Sequence, residues 1–265
     1  MDDIIVKEDI YDKNGVLLLA KGRTTSSTYE KLNRHNERFN KLMAKPEQIP
    51  SELRQKAQIL GERINIANSS VLEETHNVLG NIIFESKQQG WWIVVNALAN
   101  YVDWLYTHSL DVSMISIMLG IKLGYDKRQL WDLGLGAFLH DAGKLLVPKR
   151  IIKKREPLNE LEVSCIMQHC ELGVSSLEAF DLTKDCMDIV LKHHERMDGS
   201  GYPYGLTEEK INPNAKIVMI ADTIDAITSS RPYREARSLK TAIEILNKNQ
   251  YKYPRDLVDM FISMI

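Results

Sequence analysis

Val94, Leu98, Tyr101, Leu105, His108, Val112, Ile115 and Leu119 recur at alternating steps of four and three residues. That spacing aligns all eight on one stripe, so the chain is committed here to a long α-helix whose apolar face must be covered by other elements. The stripe contains a histidine. An imidazole on an apolar face is more often a hydrogen-bonded core residue than a ligand, so its meaning depends on what else is brought to it.

The same anomaly recurs downstream. Leu130, Leu133, Ala137 and His140 share a stripe on a second helix after Tyr125-Asp126, with Asp141 directly following and Gly143 where a C-terminal cap is expected. Leu145 to Ile152 reads as an extended connection. Asn159 followed by Glu162 is a capping-box pattern, opening a helix on which Leu161, Cys165, His169 and Leu172 share a face and which Gly173 should end. A further helix from about Thr183 leads into the adjacent pair His193-His194 and the polar, glycine-rich run Glu195 to Pro203. Ile217, Ile220, Ala221, Ile224 and Thr228 then mark another helix, with Asp222 and Asp225 on its edge and Arg231 and Arg234 past its end at Pro232. Two amphipathic helices, about 239–247 and 256–265, close the chain.

Carboxylates and imidazoles on apolar faces are costly unless paired or bound to metal. His108, His140, Asp141, His169, His193, His194 and Asp222 make seven candidate ligands, too many for one closed structural site. Two metals sharing Asp141 fit better. Mixed imidazole and carboxylate ligands without thiolate favour iron or manganese over zinc, with magnesium and nickel also within reach of such a set. Beside two dications, Lys144 could grip a phosphate oxygen rather than serve as a surface lysine. His35 and His76 have no such company and read as ordinary residues.

The rest of the chain frames this constellation. Residues 1–45 read as a small unit, with Ile4-Ile5-Val6 and Val16-Leu17-Leu18-Leu19 joined through Asp12-Lys13-Asn14-Gly15 as a β-hairpin, then a polar helix from about Tyr29 to Met43. Pro46 and Pro50 mark a boundary, residues 46–90 a helical connector, and 91–265 the main domain. The expected class is mainly α, with a hairpin-containing N-terminal unit. With 34 basic and 36 acidic residues, the chain lacks the charge footprint of a DNA or RNA binder. No apolar run approaches the ~20 residues of a membrane span, Met1-Asp2-Asp3 lacks the basic start of a signal peptide, and three unpatterned cysteines suit a reducing compartment. These features point to the cytoplasm. Trp91, Trp92 and Leu98 could belong to the core or to a homodimer seam.

The series His108-Ser109 with Val112, His140-Asp141-Ala142-Gly143-Lys144, His169 with Gly173, His193 to Pro203, and Ala221 to Ala226 leading to Arg231-Pro232-Tyr233-Arg234 resembles the HD-GYP branch of the HD phosphohydrolase family. These are bacterial phosphodiesterases that hydrolyse cyclic di-GMP. The resemblance runs from about Asn96 to Arg237 and implies an all-helical HD-type domain that converts cyclic di-GMP to pGpG or GMP at a binuclear metal site. It implies that His108, His140, Asp141 and Asp222 hold one metal and Asp141, His169, His193 and His194 the other, with Asp141 and Lys144 catalytic. Lys144, Arg231 and Arg234 would neutralise the phosphoryl oxygens, and Asp225 would orient a ligand or pair with Arg231. Glu195 could support a neighbouring histidine, and Asp198 its own turn. Gly201, Tyr202 and Pro203 could line the substrate cleft, present a docking surface for a GGDEF-type cyclase, or form only a tight turn. Some family members carry a glutamate for a third metal one turn before the first histidine; Trp104 stands there, so two metals are expected. Gln250 to Pro254 departs from the family's pattern near the end. Competing readings are an HD phosphohydrolase for another nucleotide and a non-catalytic cyclic di-GMP sensor.

Overall fold

Local side-chain caps set half of the helix starts among the described residues. The computed structural model describes residues 9–11, 17–19, 21, 48–66, 68–231 and 234–265. The Asn68 side chain accepts the amides of Ser70 and Val71 and opens α2 (Ser69–Ser86), which follows α1 (Gln48–Arg63). Asp126 and Gln129 form a reciprocal capping box at the start of α5 (Lys127–Leu139), and Asn159 with Glu162 does the same for α7 (Glu160–Met167). Such a box satisfies two otherwise orphaned amides. Thr183 caps α9 (Lys184–Lys192), Asn212 with Pro213 opens α10 (Pro213–Thr228), and Ser238 caps α11 (Leu239–Lys248). The last helix is α12 (Arg255–Ile262).

The long helix read from the four-three stripe is two helices. Val102 is extended (φ −141°, ψ 126°) and separates α3 (Trp92–Tyr101) from α4 (Asp103–Lys122). Nor is α4 apolar on one face alone: every residue from His108 to Gly120 is buried. Helices α2, α3, α5 and α10 surround it. A helix covered on all sides has no polar face to reveal its orientation, and the four-three pattern captures only part of its burial. Among its buried polar groups, Ser113 Oγ donates to Gly134 O of α5 at 2.8 Å.

Two further expectations are corrected. Residues Leu145–Ile152 are not extended: a 3₁₀ turn (Ala142–Leu146) is followed by α6 (Lys149–Ile152). The helix starting at Asn159 does not run on to Gly173, because α7 stops at Met167 and α8 (His169–Leu177) starts anew. Leu161 is accordingly 82% exposed while His169 is fully buried, so they do not share a face. Gly173 lies inside α8, and Gly143 caps no α-helix. A Cβ on Gly143 would sit 1.9 Å from His169 O and 2.4 Å from Gly173 N. Gly143 therefore permits two backbones to touch, which brings the His140-Asp141 corner against the start of α8.

Leu53 and Leu60 of α1, Ile64 just after it, and Leu79, Ile82 and Ile83 of α2 belong to the same hydrophobic core as α3, α4 and α5. In the hairpin region, β1 (Ile10–Tyr11) pairs antiparallel with β2 (Leu17–Leu19), Ile10 opposite Leu19. The strand facing Leu17–Leu19 is thus Ile10–Tyr11. Ile4–Val6, the Asp12–Gly15 turn and the polar helix of 29–43 lie outside the described residues.

Candidate metal centre

Helix ends deliver most of the candidate ligands to one place. His140 follows the last residue of α5 and Asp141 precedes the 3₁₀ turn; His169 opens α8; His193 and His194 follow α9. His108 comes from buried α4, and Asp222 and Asp225 from α10. All seven candidates converge. They form two groups whose ligand atoms lie within 4.8 Å of one another: His108, His140 and Asp222 in the first, Asp141, His169, His193 and His194 in the second.

Asp141 lies between the two. Its Oδ2 faces His108 Nε2 at 3.5 Å and His140 Nε2 at 3.3 Å, whereas Oδ1 faces His169 Nε2 at 3.4 Å and His193 Nε2 at 4.0 Å. In the first group, His108 Nε2 is 3.2 Å from Asp222 Oδ1. In the second, His169 Nε2 and His193 Nε2 are 3.3 Å apart.

Four of the rings are set by groups outside the cluster. The Nδ1 atoms of His140, His169 and His193 meet the carbonyl oxygens of Ala137 (2.6 Å), Ile166 (2.6 Å) and Val190 (3.0 Å). A carbonyl only accepts, so these Nδ1 atoms carry protons and each Nε2 presents a lone pair inward. For His108 the outer partner is Asp225 Oδ2 at 2.6 Å. The buried Nε2 atoms of His108 and His140 and Oδ1 of Asp141 have no hydrogen-bond partner. Buried, orphaned acceptors aimed at one another are otherwise repulsive, so the donor set fits divalent cations.

Charge follows the same plan. Burial, then the nearby Lys144 and His140, pushes His169 down to about 4, and burial with neighbouring imidazoles lowers His193 and His194 well below the ordinary histidine range. Neutral imidazole is the form that binds metal. Burial opposes ionisation of Asp141, but His140 and Lys144 hold its carboxyl well below the usual carboxylate range. Lys144 Nζ donates to Asp141 Oδ2 at 2.7 Å.

The Gly199 to Pro203 loop is anchored by a residue whose role the spacing does not disclose. Glu195 is fully buried, yet it does not support a histidine: its two oxygens accept the backbone amides of Tyr204 (2.8 Å) and Leu206 (2.9 Å). Gly201 must be glycine, since a Cβ would meet Glu195 Cα and Arg196 N at 2.4 Å. Asp198 accepts the Ser200 amide at 3.0 Å, stabilising its own turn. The loop thereby sets Tyr202 against His194, rings stacked with centroids 4.7 Å apart; Pro203 follows, half-buried.

Arg231 and Arg234 pair through reciprocal backbone hydrogen bonds of 2.8 and 2.9 Å. The Arg231 guanidinium lies 4.8 Å from the centre of the Trp104 ring, with Nη2 3.4 Å from His108 Nδ1. Asp225 pairs with a residue that sequence reasoning missed: Arg63 Nη2 donates to Asp225 Oδ1 at 2.6 Å. His76 lies apart, buried, with Nδ1 on Leu72 O at 3.0 Å. His35 is outside the described residues.

Residues 93–257 match the HD domain family. Over 142 residues the chain is 35% identical to the cyclic di-GMP phosphodiesterase PA4108 of Pseudomonas aeruginosa, covering 53% of this chain and 34% of that protein. It is 33% identical over 175 residues to a cyclic di-GMP phosphodiesterase of Thermotoga maritima, covering 64% and 48% of the two chains. It is also 33% identical over 177 residues to 3′3′-cGAMP-specific phosphodiesterase 1 of Vibrio cholerae, covering 64% and 41%. The chain thus spans about a third to a half of the length of these relatives. Among solved structures, the HDG"Y"P protein Bd1817 of Bdellovibrio bacteriovorus shares the fold with a TM-score of 0.54 at 18% identity, covering 99% of this chain and 95% of that one.

Proposed function

Because the chain belongs to the HD domain family, we propose that it is a metal-dependent phosphodiesterase that hydrolyses cyclic di-GMP to pGpG or GMP. The observation that carries this reading is Asp141, whose two oxygens face different groups of imidazoles. One carboxylate placed so as to bridge two cations is the arrangement in-line phosphodiester hydrolysis uses. The names of the relatives supply the substrate class.

In this reading His108, His140 and Asp222 hold one divalent ion, and His169, His193 and His194 the other, with Asp141 shared. Iron or manganese suits the ligands best. The ions, when bound, supply Lewis-acid charge that activates water and offsets negative charge on phosphorus-bound oxygens. The chain's own groups bind and orient. Lys144 holds Asp141 and gives its remaining donors to a phosphate oxygen; Arg231 and Arg234 add cationic donors at the rim, able to grip two oxygens at once. Gly201, Tyr202 and Pro203 line the cleft, and the turn from Gly199 to Pro203 that holds them is the surface a GGDEF-type cyclase would meet.

The wider organisation belongs to the same proposal: a unit at 1–45, a connector at 46–90 and the phosphohydrolase domain at 91–265, in the cytoplasm, as a monomer or homodimer. The three free cysteines are consistent with that compartment. Among the described residues no helix is long and apolar enough to cross a membrane.

A second substrate has specific support, since the 3′3′-cGAMP-specific relative is as similar as the Thermotoga one. The test is anaerobic turnover by protein loaded with Fe(II) or Mn(II), beside His140→Ala and Asp141→Ala, on cyclic di-GMP and on 3′3′-cGAMP. Hydrolysis of cyclic di-GMP by the unmodified chain alone supports the proposal. Preference for 3′3′-cGAMP would replace the substrate, metal-loaded protein inert on both would sink the class, and tight cyclic di-GMP binding without metal or turnover would make this a sensor.

A further inference from the structure

Arg63 is the last residue of α1, well before residue 93 where the family match begins. Its guanidinium forks. Nη1 donates to Asp111 Oδ2 at 3.1 Å and Nη2 to Asp225 Oδ1 at 2.6 Å. Asp111 stands three residues after His108 on α4, and Asp225 three after Asp222 on α10, so each acceptor lies one turn beyond a candidate ligand. The two ligands face each other at 3.2 Å. One planar side chain therefore ties together the two helices that supply the first group, a geometry that a rigid guanidinium can hold and a single ammonium cannot.

The tie reaches the ligand itself. With Oδ1 of Asp225 on Arg63, the fully buried carboxylate turns Oδ2 to His108 Nδ1 at 2.6 Å, and Ser229 Oγ donates to that same oxygen at 3.1 Å. Fixing Nδ1 fixes the direction of Nε2. Lys56, also on α1, anchors the far end by pairing with Asp111 Oδ1 at 2.6 Å.

We infer that Arg63 is a positioning residue for the first metal site, acting through Asp225 on His108 and through Asp111 on the register of α4 and α10. The inference rests on the metal-centre reading above and goes beyond it by giving the segment ahead of the family-matched region a direct hold on that centre.

Mn(II) titration of the full chain, read by calorimetry and by the electron-paramagnetic signal of free Mn(II), tests it for the unmodified protein, Arg63→Met, Arg63→Gln, Asp225→Asn and the double variant R63M/D225N. Two Arg63 variants are used so that a folded one is in hand, as checked by thermal unfolding without metal. The expected result is one site of unchanged affinity and one weakened 10–100-fold, the range for losing a partner behind a ligand. Asp225→Asn should show a similar loss, and the double variant should be no weaker than D225N, because losing the Asp225 carboxylate already cuts the link from Arg63 to His108 and to α10, leaving only its hold on Asp111. Unchanged affinities in the Arg63 variants, or losses that multiply in the double variant, would overturn the inference. Two bound Mn(II) without hydrolysis of a cyclic dinucleotide would remove the substrate assignment and leave Arg63's role intact; no Mn(II) binding by the unmodified protein would remove both.

Discussion

Gly143→Ala is the smallest change that should disable the centre while leaving its ligands in place. The added Cβ would lie 1.9 Å from His169 O, whereas such atoms essentially never come closer than 3.0 Å, so the backbones must part by about 1.1 Å. No rotamer can relieve the clash, because the obstructing atoms are backbone. Overpacking of this kind costs roughly 1–3 kcal/mol. The two elements forced apart carry Asp141 and His169, whose Oδ1 and Nε2 stand 3.4 Å apart. A misplacement of about 1 Å in reacting or ligating groups is associated with losses near 100-fold. The variant should therefore keep its helical circular dichroism, hold the first ion and lose most of the second, with cyclic dinucleotide turnover down about 100-fold. Metal content per chain, turnover and thermal unfolding are measured together. Gly124→Ala is the control: its φ is +77° and nothing lies within 4 Å of the added Cβ, so it strains the backbone and displaces no neighbour. A G143A protein with normal metal stoichiometry and turnover within threefold of the unmodified chain would refute the reasoning.

Asp141→Asn and Asp222→Asn should separate the shared carboxylate from the unshared one: metal analysis is expected to find both ions depleted in the first and only one in the second, and equal depletion would contradict the bridging role. Glu195→Ala leaves the amides of Tyr204 and Leu206 without their buried, charged acceptor, costing about 2–4 kcal/mol. Its KM should rise more than its metal affinity falls, and a variant of unchanged melting temperature would refute that assignment. Metal-free protein should lose stability on acidification. His169 is pushed from 6.5 down to about 4, so below pH 6.5 the unfolded chain takes up a proton that the folded chain refuses, removing about 3 kcal/mol by pH 4. His193 and His194 act in the same direction, while His108, raised by Asp222 and Asp225 against the effects of burial and Arg231, acts in the opposite one. Chelator-treated protein whose melting temperature is flat from pH 7 to 4.5 would contradict this.

The candidate ligands were readable because each breaks a local rule. A histidine on an apolar stripe, or an aspartate within an apolar helix, is conspicuous against 3.6-residue periodicity. Asn159 and Glu162 were readable for the complementary reason, since a capping box is a contact between residues three apart. Contacts over long separations left no such trace. Arg63 and Asp225 are 162 positions apart, and nothing in the pattern of α1 distinguishes this arginine from a solvated one. Glu195 escaped because an acceptor for backbone amides needs no particular partner residue. The breaks at Val102 and Gln168 were invisible to periodicity, because the apolar spacing runs through each kink unchanged. Gly143 reads as a cap in the sequence, whereas it serves contact with a segment 26 and more residues away, a use of glycine that only the packed chain discloses.

The burial of α4 on every side gives the centre two kinds of foundation. Amides in a segment with no exposed flank exchange with solvent only when most of the fold opens, whereas those in a surface turn exchange through small local fluctuations. His108 rides on the first kind, among residues buried without interruption to Gly120. His193 and His194 stand where α9 gives way to the Gly199–Pro203 loop, whose Ser200 is exposed. In deuterium exchange the first ligand should thus belong to the slowest-labelling part of the molecule, and the loop beside the last two to a faster one. A cation arriving at the centre would meet one wall already rigid and would itself slow the labelling of the other.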